Sequence, residues 1–315
     1  MKSILITGGC GYVGTVLSEM LLKEGHHVCV YDIQWFGNYL KPHPNLQLIK
    51  GDIRDIDDID LTNFDIIVHL ANIANDPSVE LNTGLSWETN VLAGQQLIDK
   101  AVRANIQQFI YASSGSVYGV KDEQNVTEDL SLVPISVYNK TKMVAERVFL
   151  SYKNDIKVHC IRPATVCGWS PRMRLDVSVN MLTMQALQNK VITVFGGNQI
   201  RPNIHIQDMV RVYRHFIDSS EIPSGCYNAG FENISIIEIA ELVAKEIPAE
   251  IVVTKSNDPR SYRQNSDKLL KTGFQQKYSI TDAIKELCEK YHSGDLEDQD
   301  QYYTVKWMKH LGLDK

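Results

Sequence analysis

This sequence predicts an α/β fold built on a doubly wound parallel sheet, and three observations carry the prediction. Short apolar runs rich in β-branched residues alternate with amphipathic segments through the first half of the chain. The runs are almost wholly apolar, as strands covered on both faces should be. A glycine cluster follows the first run directly, where a strand would turn sharply into a helix.

In chain order the strand candidates are residues 4–7, 28–32, 46–50, 66–70, 109–112 and 158–161. Helical spacing of Leu, Val and Ala marks 12–23, 87–104 and 137–152. Beyond Gly168 the alternation loosens, and Pro171, Pro202, Pro223, Pro248 and Pro259 punctuate shorter elements. Residues 1–168 are therefore expected to form one unit, with elements near 204–230 returning to it. Residues 169–292 should form a smaller, interleaved C-terminal α/β domain. Within it, helices are expected near 177–188, 207–219 and 235–246 and a strand at 227–229. The tail 293–315, rich in Asp, Gln and Tyr, reads as a docked arm or a partly disordered one.

The 315 residues allow one large domain or two moderate ones, and 43% hydrophobic with 22% charged residues is ordinary for a globular chain. A net charge of −6 lacks the basic balance that a nucleic-acid backbone demands. The six cysteines, Cys10, Cys29, Cys160, Cys167, Cys226 and Cys288, show neither Cys-x-x-Cys nor a metal-ligand spacing, so no metal is expected. The first seven residues meet glycine too soon for a secretion signal, and no apolar stretch has the length of a membrane span. The expected setting is the cytoplasm.

After the first strand comes Gly8-Gly9-Cys10-Gly11-Tyr12-Val13-Gly14, opening a helix. Glycine suits this turn because the backbone must approach a pyrophosphate closely, and the helix N-terminus offers free N–H donors. Asp32 closes the second strand at the distance where a carboxylate would hold the adenosine ribose. This is the fingerprint of a Rossmann-type dinucleotide site. A carboxylate there, with no Arg closely following in sequence, favours NAD over NADP. Asp52 and Ile53, after the third strand, suit an adenine contact. Leu70 and Ala71 end the fourth strand and join Gly8, Gly11, Tyr12, Val13 and Gly14 as cofactor candidates.

Tyr138 and Lys142 stand one helical turn apart and share a face. The same spacing recurs at Tyr302 and Lys306, so context must decide. Ser114 ends the fifth predicted strand, on the edge where ligands bind in open parallel sheets. A tyrosine with a pKa near 10 is only about 0.1% ionised at neutral pH, so work as a base requires a stabilised anion. The Lys142 ammonium and a positive nicotinamide ring are expected to lower it. Lys142 would also bind the nicotinamide ribose, and Ser114 would orient the reacting oxygen.

Residues 7–14, Tyr111-Ala112-Ser113-Ser114-Gly115-Ser116-Val117-Tyr118-Gly119, 134–142 and Arg201-Pro202-Asn203-Ile204-His205-Ile206 resemble the NAD-dependent epimerase/dehydratase family, the extended short-chain dehydrogenases typified by UDP-galactose 4-epimerase. The resemblance spans at least residues 1–290. It implies a tightly held NAD, a nucleotide-sugar substrate and a homodimer or higher homo-oligomer built on helices near 90–104 and 137–152. Ser116 would help hold the sugar. Arg201 and Arg260 match the family's pyrophosphate-binding arginines, with Arg263 competing for the second place, and Asn180 matches an asparagine near the sugar phosphate.

The family's 4,6-dehydratases carry an Asp-Glu pair just after the catalytic hydroxyl residue. Gly115-Ser116 stands there instead, which speaks against dehydration. The stretches 75–80 and 172–176 resemble enzymes of surface-polysaccharide pathways that oxidise C4 of GDP-heptoses. The expectation is therefore C4 dehydrogenation of a nucleotide-sugar, GDP-linked sugars or heptoses included. Epimerisation through a transient 4-keto sugar is the alternative. A non-catalytic NAD-binding sensor or scaffold is an alternative of another class, opposed by the presence of the Tyr–Lys pair.

Overall fold

The computed structural model describes residues 1–255 and 261–314. Among them the strands are β1 (Ser3–Thr7), β2 (His27–Asp32), β3 (Leu46–Lys50), β4 (Ile66–His69), β5 (Gln108–Ala112) and β6 (Lys157–Pro163). There follow β7 (Thr165–Cys167), β8 (Val191–Phe195), β9 (Ile200–His205), β10 (Gly225–Ala229), β11 (Glu232–Ser235) and β12 (Glu250–Thr254). Seven of them form a parallel sheet in the order β3-β2-β1-β4-β5-β6-β10. β11-β9-β7 and β12-β8 make two smaller sheets. The expected Rossmann-like architecture is thus observed.

Alternation within the strands divides the core. Ile4, Ile6, Val28, Val30, Ile66 and Val68 point to the face carrying helices Tyr12–Lys23 and Ile206–Asp218, where they meet Leu17, Leu21, Met209 and Phe216. Leu5, Cys29, Tyr31, Ile67, Phe109 and Tyr111 point to the other face, against Leu97, Ile98, Ala145 and Phe149 of Ala93–Arg103 and Val137–Ser151. Each fully buried Leu or Ile adds about 2 kcal/mol. β3 departs from the all-apolar expectation: an edge strand, it leaves Leu48 38% exposed. Strand order reverses between β1 and β4, which opens a crevice at their carboxyl ends.

The helix expected over 87–104 is not continuous. It divides into Thr83–Trp87, a wide π-helical turn at Glu88–Leu92, and Ala93–Arg103. Buried Asn90 lies in the wide turn. Its Oδ1 accepts from Ile73 N (2.8 Å), and its Nδ2 donates to Ile73 O (3.0 Å) and Thr141 Oγ1 (3.2 Å). The turn therefore ties the segment after β4 to the helix bearing Tyr138 and Lys142. Asn90→Ala strands both backbone groups of Ile73, and is expected to cost about 2–3 kcal/mol in denaturant titration.

Several elements beyond residue 168 were not expected. β9 contains Pro202, which reads as a break in sequence. It is tolerated because β7 pairs with β9 only from Asn203 to His205, leaving Pro202 one neighbour, β11. The helix Ile280–His292 starts at a reciprocal capping pair, Ser279 with Asp282. The tail is docked. It ends in the helix Thr304–His310, and Trp307 Nε1 donates to Trp35 O (2.7 Å). Among the described residues, no helix is long and apolar enough to cross a membrane.

Candidate active site

A cavity of about 630 Å³ runs along the carboxyl ends of β1, β2, β4 and β5 and on between the two halves of the molecule. At one end the chain leaves β1 at Gly8, with φ +76°. A Cβ there would lie 2.5 Å from Ala71 N, and one on Gly14 would lie 2.4 Å from Gly8 O. No other residue fits without shifting backbone. Gly11 precedes the helix Tyr12–Lys23, whose first amides face the cavity alongside Tyr12 and Val13. The Tyr12 hydroxyl is turned away, donating to Gly168 O (2.6 Å).

Asp32 ends β2. Its Oδ2 accepts from Cys10 N (2.9 Å) and its Oδ1 from Gln34 N (2.6 Å). Burial pushes this carboxyl up, and the two amides and the Arg172 charge oppose the push. Arg172, 140 residues away in sequence, is brought near Asp32 by the fold. Its guanidinium lies over the Phe36 ring (4.1 Å), and its buried Nε has no partner among the described residues. Burial lowers it to about 10. A planar donor in a desolvated wall suits a phosphate oxygen. With the glycine cradle, it makes this end fit a dinucleotide.

Asp52, Ile53, Leu70 and Ala71 all line the cavity. The Asp52 carboxylate is already engaged, with Arg54 Nη2 at 2.7 Å, which together with the Arg54 backbone amide holds its pKa low against burial.

At the other end the helix Val137–Ser151 begins at Ser136, whose hydroxyl accepts from Asn139 N and donates to Asp76 Oδ1. Tyr138 and Lys142 project from one face into the cavity. Beyond β5 the side chains still alternate. Ser113 turns inward to Glu146 Oε1 (2.5 Å), which also takes the buried Arg162, while Ser114 faces the cavity. Ser114 hydrogen-bonds the Tyr138 hydroxyl and stands 2.8 Å from Ser116 Oγ, which donates to Asn139 Oδ1 (2.7 Å). Lys142 Nζ donates to Ala112 O (2.7 Å) and lies 5.8 Å from the Tyr138 ring centroid.

The expected lowering of the Tyr138 pKa is not produced by these side chains. Burial pushes Tyr138 up to about 12, against the Ser114 hydrogen bond and the Arg174 charge, while nearby Asp76 reinforces the rise. Burial also drives Lys142 down to about 7. The cleft desolvates the cation meant to stabilise the anion. Beneath them the fully buried His69 is held neutral, its pKa near 3, with its Nδ1 2.7 Å from Thr7 Oγ1.

Arg201 lines the far end with Tyr262, its guanidinium 5.8 Å from that ring. Asn180 does not line the cavity, which corrects its assignment to the sugar phosphate. It is fully buried, its Oδ1 taking Gly168 N (3.0 Å) and its Nδ2 serving Arg174 O (2.9 Å) and the Tyr12 hydroxyl (3.0 Å). Arg260 lies outside the described residues. Sequence reasoning quoted Arg172 and Arg174 only as a resemblance. Arg172 and Arg174, two residues apart, both line the cavity. Asn90 and the tail residues Thr304 and Met308 were missed altogether, and Asp76 figured only within the 75–80 stretch; Asp76, Thr304 and Met308 line the cavity.

Fold and site together define a dinucleotide-dependent enzyme with a Ser, Tyr and Lys set at the end of its cofactor crevice. The model for the NAD dependent epimerase/dehydratase family matches residues 4–230, and the chain belongs to that family, with NAD as its cofactor. An uncharacterized UDP-glucose epimerase of Bacillus subtilis is 32% identical over 260 residues, covering 76% of this chain and 80% of the relative. A UDP-glucose 4-epimerase of Lactobacillus helveticus is 25% identical, covering 92% and 96%. Among solved structures, UDP-glucuronic acid 4-epimerase from Bacillus cereus in complex with UDP-glucuronic acid and NAD is 27% identical. It superposes with a TM-score of 0.80 over 92% of this chain and 99% of that one.

Proposed function

We propose that this chain is a nucleotide-sugar 4-epimerase, working in the cytoplasm on a UDP-linked sugar. The observation that carries the reading is the meeting of Ser114, Tyr138 and Lys142 at one end of a cavity whose other walls suit a dinucleotide and a phosphate. The sequence alone favoured C4 dehydrogenation of a nucleotide-sugar, GDP-linked sugars or heptoses included, with 4-epimerisation as the alternative. The relatives named as UDP-glucose and UDP-glucuronic acid 4-epimerases support epimerisation instead.

Bound NAD would accept the C4 hydride and return it, and in its oxidised form would add a positive charge to the site. The chain supplies the proton chemistry and the positioning. Tyr138 Oη, in its ionised form, takes the proton of the C4 hydroxyl as that carbon is oxidised and returns it when the carbonyl is reduced. Ser114 holds the same oxygen. Lys142 sets the charge beneath both. Gly8, Gly11, Tyr12, Val13, Gly14, Asp32, Asp52, Ile53, Leu70 and Ala71, with Arg172, bind the cofactor, and Ser116 and Arg201 bind the substrate. Dehydration is disfavoured because Gly115-Ser116, directly after Ser114, supplies no carboxylate to remove water. A homodimer through the outer faces of Ala93–Arg103 and Val137–Ser151 belongs to the same proposal.

UDP-, GDP-, dTDP- and CDP-sugars incubated in deuterated water and followed by NMR test the reading. A C4 configuration change with no net accumulation of NADH is expected. Release of a keto-sugar with stoichiometric NADH would overturn it.

A further inference from the structure

The tail forms part of the cavity, and no feature of the proposed chemistry requires it to. Tyr302 O accepts from Leu175 N (2.9 Å), and Thr304 N donates to Asp176 Oδ2 (3.1 Å), which fixes the arm to the segment bearing Arg172 and Arg174. From the same arm, Gln301 Nε2 donates to Tyr39 OH (2.5 Å) and Trp307 Nε1 to Trp35 O (2.7 Å). These acceptors lie on the loop that follows Asp32. The arm therefore ties together two neighbouring stretches of the cavity lining, which also meet at the Arg172–Phe36 stack. Met308, only 2% exposed, fills the space beneath it, packed with Ile73, Trp35, Phe36 and Tyr138. Thr304 and Met308 line the cavity themselves.

The span from the Trp35 loop to Tyr138 is the length of crevice between Asp32 and the reacting end. We infer that the arm is a retaining wall for the dinucleotide, and that Met308 and Thr304 belong to its binding site. Bound NAD can leave on this side only after the arm parts from either the Trp35–Tyr39 loop or the Leu175–Asp176 segment. A redox-neutral cycle that needs its reduced cofactor in place gains from such a wall. The inference stands on the chain's membership of an NAD-dependent family and is independent of which sugar reaction it performs.

The test is the rate at which bound NAD exchanges with isotopically labelled NAD, read by mass spectrometry of the denatured full-length protein. Trp307→Phe removes one donor and keeps the packing; Gln301→Ala removes the second. The double variant is expected to exchange about ten- to thirtyfold faster, as two lost hydrogen bonds imply. Met308→Ala should act in the same direction. Exchange within twofold of the parent in the folded double variant, even with a lower melting temperature, would show the arm to be structural only and overturn the inference. Melting with saturating NAD establishes that the variants are folded.

Discussion

Replacing Tyr138 with Phe is expected to lower kcat by about a thousandfold while leaving bound NAD in place. The proposed proton acceptor is then gone, and positioned acid–base groups contribute about 10²–10⁴ in rate. Phe keeps the ring against Ile73 and Met308, so the fold should be little changed. The check is initial-rate kinetics with the UDP-sugar that turns over, beside the NAD content of the purified variant. Unchanged turnover would remove Tyr138 from the mechanism and revive a sensor or scaffold on this fold.

Lys142→Met should separate stability from activity, losing turnover by about a hundredfold or more while gaining stability. Folding depresses the Lys142 pKa from 10.5 to about 7, chiefly by burial. Between those values the unfolded chain holds a proton that the folded chain sheds, so this group's contribution to stability rises with pH across the window. Below pH 7 the cost of burying the ammonium is fully present; near pH 10.5 it has vanished. Met removes that cost, and also the bond to Ala112 O, for a net gain of about 2 kcal/mol at pH 7. Denaturant titrations at pH 6.5 and 9.5 should show the variant's advantage shrinking as pH rises. A variant less stable than the parent at pH 6.5 would mean that Lys142 is not held against its charge.

The nucleotide-binding half was legible because its signals are local. The apolar runs, the glycines and Asp32 each report a neighbour within a few residues or one βαβ unit, and the helix Tyr12–Lys23 falls where its spacing placed it. The wide turn at Asn90 was invisible because side-chain bonds to Ile73 and Thr141, not spacing, hold it. Pro202 hid β9, since a proline's meaning depends on which neighbour its strand lacks. Arg172 reaches Asp32 only through the fold, and Asn180 was drawn to the site by motif position although its amide serves the interior. The capping pair Ser279–Asp282 was readable and would have disclosed the helix Ile280–His292.

The place of β10 at the edge of the large sheet bears on how the chain can be made. Its partner β6 ends at Pro163, yet β10 arrives only at Gly225–Ala229, after β7, β8 and β9 have intervened. A nascent chain that has emerged as far as Gly168 displays β6 as a bare edge, its apolar residues Val158, Cys160 and Ile161 still uncovered on one side. Neither half is a separable module. Fragments cut between them inherit β6 as an uncovered edge, and synthesis must run past residue 229 before β6 gains its second neighbour.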